Sequence, residues 1–108
     1  MLAKKAKLTK EDLETLYKLR EIITRLSSEE LTVLGYVWDN ISVGEILFER
    51  DLYRIHRVQK PILVARRLRE KGLIERGEGC YNLARWLRPL RKKIQSFNDL
   101  RILIDKLP

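Results

Sequence analysis

Along this chain apolar residues recur at helical spacing in one segment after another, and at strand spacing in only one short region. Leu13, Leu16, Leu19, Ile23 and Leu26 fall three or four apart, with Ile22 widening the stripe, which predicts an amphipathic helix over 10–26. Thr9, three residues before Asp12, has the pattern of a capping box at its start. Ser27-Ser28-Glu29-Glu30 then stops that helix and starts a second over 28–40, with Leu31, Leu34, Val37, Trp38 and Ile41 as its buried face. Asp39-Asn40, Ser42 and Gly44 break the pattern. Glu45-Ile46-Leu47-Phe48 fits a short strand or an early helical turn, and a short strand is the expectation. A helical pattern resumes at Arg50, with Leu52 and Ile55 inward, and ends near His56-Arg57 before a turn at Val58-Gln59. Towards the C-terminus Leu90, Ile94, Phe97, Leu100, Ile104 and Leu107 predict a helix over 90–107. Pro89 implies a kink or a fresh start before it, and Ser96 with Asp99 is a capping signal that would split it in two.

Between these segments lies KPILVARRLREKGLIERGEGCYNL, residues 60–83. Pro61 suits a first helical position, where its missing N–H would have no partner. Gly72 suits the left-handed residue after a helix, with Leu73 folding back on the last turn. Leu73-Ile74-Glu75-Arg76 and Cys80-Tyr81-Asn82-Leu83 flank Gly77-Glu78-Gly79, which reads as strand, turn and strand.

A helix ending in Lys71-Gly72-Leu73-Ile74 and running into such a hairpin resembles the recognition helix and wing of a winged helix-turn-helix domain. The sequence-level part of the likeness is Arg67-Leu68-Arg69-Glu70-Lys71-Gly72-Leu73-Ile74-Glu75-Arg76. One helix before this unit and one or two after it resemble, over residues 9–107, the order of elements in MarR-type regulators. The hairpin departs from that pattern in being very short and carrying Glu78 near its tip. The expected fold class is therefore mainly α with a small β-hairpin, in a single domain over 1–108. It divides into an N-terminal helix at 9–26, a winged unit at 28–83 and C-terminal helices at 84–107. The resemblance implies a homodimer held by the outer helices, with Leu16, Ile23, Ile94, Phe97 and Ile104 at the two-fold contact. The first stripe is also wider than one small core needs.

Charge sharpens this picture. The net charge is +8, but residues 54–93 carry 13 basic and 3 acidic groups, a net +10, while residues 1–53 are net −2. Such a local field favours a polyanion, and double-stranded DNA is the expected partner. With 100° per residue and Leu68 at the core, Pro61, Val64 and Ala65 face inward, and Gln59, Leu63, Arg66 and Glu70 face outward. Gln59 then suits base edges and Arg66 a guanine edge or a phosphate, while Lys60, Arg67 and Arg69 suit backbone oxygens. Ile62 and Leu63 meet thymine methyls or, in the alternative, a protein partner. Arg54, Arg57, Arg76, Arg85 and Arg88, with Arg91, Lys92 and Lys93, reach phosphates, some of the last five forming surface ion pairs instead. Residues 1–8 form a short basic lead, frayed or laid as an arm on a phosphate backbone.

The remaining chemistry excludes more than it suggests. Cys80 is the only cysteine and His56 the only histidine, so neither an internal disulfide nor a multi-cysteine zinc site is expected. His56 reads as a surface or cap residue and Cys80 as a small packing residue of the hairpin. Trp38 and Trp86 are expected in the core, and Tyr81 in the core or on the DNA backbone. No Gly-rich phosphate loop or nucleophile with a base at useful spacing appears, so no enzyme, cofactor or metal is expected. No apolar run approaches the roughly 20 residues of a membrane span, and the start has no apolar signal core, which points to a cytoplasmic protein. The abundance of Arg, Lys and Glu over Asn and Gln hints at a thermophile. The leading expectation is a sequence-specific transcriptional regulator binding duplex DNA as a winged-helix homodimer. The alternatives are a non-specific nucleic-acid or chromatin-associated protein and a winged-helix protein-interaction module.

Overall fold

Two reciprocal capping boxes launch the first two helices. Thr9 Oγ1 accepts from the Asp12 N–H at 3.1 Å while Asp12 Oδ2 accepts from the Thr9 N–H at 2.8 Å, opening α1 (Lys10–Ile23). Ser27 and Glu30 repeat the arrangement at 3.1 and 2.9 Å, opening α2 (Ser28–Asp39). Each box satisfies two N–H groups that a helix start leaves without partners. The structure is a computed structural model describing residues 7–108; the reading of a basic lead falls, for residues 1–6, outside the described residues.

The segment after α2 corrects the sequence reading. The strand lies at β1 (Val43–Gly44), and Glu45-Ile46-Leu47-Phe48 is the first turn of α3 (Glu45–Arg54). Tertiary pairing decides it: Val43 and Gly44 stand opposite Tyr81 and Cys80, and the Glu45 N–H donates to Gly79 O at 2.8 Å. Phe48 and Leu52 then share the inner face of α3 at a spacing of four. Ile55, expected inward, is exposed because α3 ends there, and Val58 fills the core instead. Ile41, expected on the buried face of the second helix, lies past the end of α2 and is exposed, while Val33 joins the core.

Past a turn in which Arg57 takes a left-handed φ of 61°, α4 (Pro61–Glu70) starts on a buried Pro61. It ends in a Schellman motif: Gly72, at φ 76°, donates to Arg69 O at 3.0 Å, and Leu73 donates to Leu68 O at 3.0 Å. The hairpin follows as β2 (Ile74–Arg76) and β3 (Cys80–Leu83), closed by the Gly77 N–H on Cys80 O at 2.9 Å. With β1 it makes a three-stranded antiparallel sheet in the order β1-β3-β2. A 3₁₀ turn (Arg85–Leu87) leads into α5 (Arg88–Lys93) and then α6 (Phe97–Asp105), whose Asp99 N–H donates to the Ser96 hydroxyl at 3.4 Å. The periodic segment over 90–107 is thus two helices. The break at Ile94 is fastened to the end of α2: Trp38 Nε1 donates to Ile94 O at 2.9 Å, Arg91 Nε to Trp38 O at 2.7 Å, and the Phe97 N–H to Asp39 Oδ1 at 2.9 Å.

That fold-back changes the fate of the residues expected at a dimer contact. Leu16, Ile23, Ile94 and Ile104 are buried in the chain's own core, and Phe97 is half-buried with its ring 6.2 Å from that of Trp38. Their apolar area is removed from water within one chain, which leaves those four no face for a second copy. Trp38 is fully buried, and Tyr81 is a core residue stacked on Phe48 with ring centroids 4.3 Å apart. Trp86 is instead half-buried, its indole N–H on Gly72 O at 2.7 Å and the Lys18 ammonium 4.5 Å above its ring. The architecture is mainly α with a small antiparallel sheet, and no described helix is long and apolar enough to cross a membrane.

Candidate nucleic-acid interface

The cations of residues 54–93 separate into two sets according to what they touch. One set fastens elements together. Lys71 Nζ lies 2.7 Å from Glu30 Oε2, Arg76 meets Glu45 Oε2 at 2.8 Å, and Arg88 meets Glu75 at 3.2 Å while its Nε donates to Leu83 O at 2.9 Å. Lys93 pairs with Asp12, and Arg91 holds the Trp38 carbonyl. Arg76 and Arg88, both expected on phosphates, are thus engaged within the chain. The hydrogen bond to Glu45 raises the Arg76 pKa further above its usual value. These pairs remain partly exposed, so a phosphate can compete for them.

The second set has no ion-pair partner among the described residues: Arg54, Arg57, Lys60, Arg66, Arg67, Arg69, Arg85 and Lys92, all exposed. Four of them lie on α4 or at its start. Pro61, Val64, Ala65 and Leu68 are buried beneath, as the periodicity predicts, which turns Arg66, Arg67 and Arg69 to the surface beside Gln59 and Lys60. Leu63 is 38% exposed in this face, whereas Ile62 is half-buried against the core. An open hollow of about 630 Å³ lies between α4 and β2, lined by Arg66, Arg69, Glu70, Ile74, Glu75 and Arg76. Three guanidiniums facing two carboxylates leave it net positive, suited to an oxyanion such as a phosphate.

Sequence reasoning missed a second surface. Ile46 is 83% exposed, Tyr53 55% and Leu47 47%, all on the outer side of α3, with Ile55 just beyond its end. The spacing of seven between Ile46 and Tyr53 puts them on one face once the helix is begun at Glu45 rather than Arg50. Beside them an open hollow of about 420 Å³ is lined by Gly44, Glu45, Ile46, Leu47, Glu49 and Gly79.

The titratable groups near these surfaces serve the fold. Tyr36 donates to Asp51 at 2.7 Å, and burial together with that carboxylate pushes its hydroxyl up to about 12. His56 is exposed, edge-on to the Tyr36 ring at 5.7 Å, and Cys80 is a half-buried thiol of the hairpin. Among the described residues no group of three or more His, Cys, Asp or Glu side chains is placed to hold a metal ion.

The family model described as PolB1 Binding Protein 2 matches residues 27–89, from the cap of α2 through α3, α4 and the sheet to the start of α5. No curated protein and no solved structure matches the chain. The matched segment is more than half of the 108 residues and carries both the cationic face of α4 and the apolar face of α3, so the chain belongs to the PolB1 binding protein 2 family.

Proposed function

We propose that this chain is a non-enzymatic winged-helix module of a DNA polymerase assembly, which binds PolB1, DNA polymerase B1, and lays the cationic face of α4 along duplex DNA. The family description supports the first contact. The row of Lys60, Arg66, Arg67 and Arg69, exposed and without ion-pair partners among the described residues, carries the second. The order α3, turn, α4, hairpin supports the winged-helix reading. Contacts of this kind neutralise phosphates, release counterions and give affinity with little sequence choice, which suits a protein travelling with a polymerase. With the apolar outer-helix residues spent on the core, half-site reading by a two-fold dimer is not part of this proposal.

Exposed Gln59 and Arg66 favour a second reading, sequence-specific recognition in the major groove. Fluorescence anisotropy of labelled random duplex, titrated at three salt concentrations, tests the DNA contact. Submicromolar binding that weakens steeply with salt and in Arg66→Ala/Arg67→Ala is expected; no binding at low salt overturns it. Selected against random duplex distinguishes the two readings, since specific recognition requires a preference of roughly 10³ or more.

A further inference from the structure

We infer that the outer face of α3, centred on Ile46 and Tyr53, is the surface that docks on the polymerase. The inference rests on the polymerase-binding reading above and assigns that contact to one helix. Ile46 is the most exposed large apolar residue described, and Tyr53 lies two turns further on the same face, with Leu47 on its flank. Phe48 and Leu52 hold the opposite side of α3 in the core, so this face is offered outward by a helix that is already anchored. A helix presenting apolar residues at a spacing of seven is the arrangement that enters a groove on a protein.

The chemistry of the face selects a protein over its competitors. Glu49 and Arg50 lie between Ile46 and Tyr53, and with Arg50 turned to Asp51 at 3.5 Å the middle of the face carries no excess of positive charge. Duplex DNA gains little from such a surface, in contrast to the face of α4. Exposed Arg54 and Arg57 give the end of the face beyond Tyr53 a positive rim. A polymerase groove with an apolar floor and carboxylates at the rim opposite Arg54 and Arg57 meets both features. The hollow at the start of α3, between Ile46, Leu47 and Gly79, is open to a side chain from that groove. The family segment spans α3 in full.

The test immobilises DNA polymerase B1 and measures capture of the full chain by interferometry, for wild type, Ile46→Glu/Tyr53→Ala and Arg66→Ala/Arg67→Ala. Both pairs are exposed, and an unchanged thermal midpoint with unchanged duplex affinity for the α3 variant shows that it folds. The expected result is at least a tenfold loss of polymerase affinity in the α3 variant, since truncating a central aromatic or aliphatic anchor costs on the order of tenfold or more, and a change below threefold in the α4 variant. Capture of wild type and α3 variant with equal affinity overturns the assignment while leaving the polymerase reading intact. Absence of wild-type capture overturns that reading and the assignment together. A wild-type dimer in light scattering that Ile46→Glu/Tyr53→Ala dissociates gives the face to a second copy and overturns the assignment as well.

Discussion

Lys71 Nζ lies 2.7 Å from Glu30 Oε2, tying the C-terminal cap of α4 to the third residue of α2, whose own carboxylate also accepts from the Ser27 N–H. The two halves of this contact are unequal. Glu30 is buried and caps a helix, whereas the Lys71 side chain is 41% exposed and its attraction is screened by water. Glu30→Ala is expected to lower unfolding stability by about 2 kcal/mol, and Lys71→Ala by less than about 1 kcal/mol. Urea unfolding of the two variants measures the difference, and equal losses would show that the ion pair outweighs the cap.

Acid should act through the same group and through Asp12. The hydrogen bond from Lys93 and then that from the Thr9 N–H hold the Asp12 carboxyl below its ordinary 3.8. For Glu30 burial opposes ionisation, but Lys71 and the Ser27 N–H outweigh it and hold the carboxyl below 4.5. A carboxyl depressed in the folded state adds stability that is present above its unfolded pKa and is lost as pH falls through its folded one. Thermal midpoints should therefore be level near pH 7 and fall as pH drops below about 4.5, and Glu30→Gln/Asp12→Asn should fall less steeply over the same window. Parallel curves for variant and wild type would remove these two groups from the acid response.

Gly35 of α2 packs against the ring of Phe97 in α6. A Cβ added there stands 2.7 Å from Phe97 Cδ2, so the gain of about 1 kcal/mol in helix propensity is set against overpacking of about 1–3 kcal/mol. Gly35→Ala is expected to destabilise the protein by about 1 kcal/mol net, with part recovered in Gly35→Ala/Phe97→Leu. A single variant more stable than wild type would mean that the Phe97 ring swings aside freely.

Arg57 sits in the turn between α3 and α4 at a left-handed φ of 61°, a conformation that costs a side-chain-bearing residue roughly 1 kcal/mol and glycine little. Arg57→Gly should leave stability unchanged or raise it by up to about 1 kcal/mol. The same substitution should lower the slope of log affinity for duplex against log salt by about 1. An unchanged slope would take Arg57 off the phosphate path.

Signals confined to one turn were legible in the sequence. Thr9 with Asp12, Ser27 with Glu30, Pro61 and Gly72 act over three or four residues, and each forms the local structure its spacing predicts. Glu45 to Phe48 was not legible, because the choice between strand and helix is made by residues 79–81 of the hairpin. Nothing within the first helix reveals that α5 and α6 return to cover Leu16, Leu19 and Ile23 of its apolar stripe, while Leu13 stays exposed. The same limit holds for the interface. Periodicity alone separates inner from outer positions on α4. Whether an outer arginine is free depends on partners as distant as Glu45 is from Arg76, and the apolar face of α3 stays hidden until the start of that helix is known.

The hydrogen bond from the Trp38 indole to Ile94 O bears on which part of the chain is a cooperative unit. Leu16, Leu19, Leu100 and Ile104 lie outside the family segment yet belong to the same continuous core as Leu34 and Phe48 within it. Residues 27–89 cut out by themselves would leave Trp38 without its acceptor and open one wall of that core to water. Backbone amides of α2, α4 and α6 should then exchange with solvent at similar, globally limited rates in the intact chain, while the excised segment behaves as a loosened state with little slow exchange. The part that carries the family resemblance and the part that shares one core are therefore different lengths of the same polypeptide.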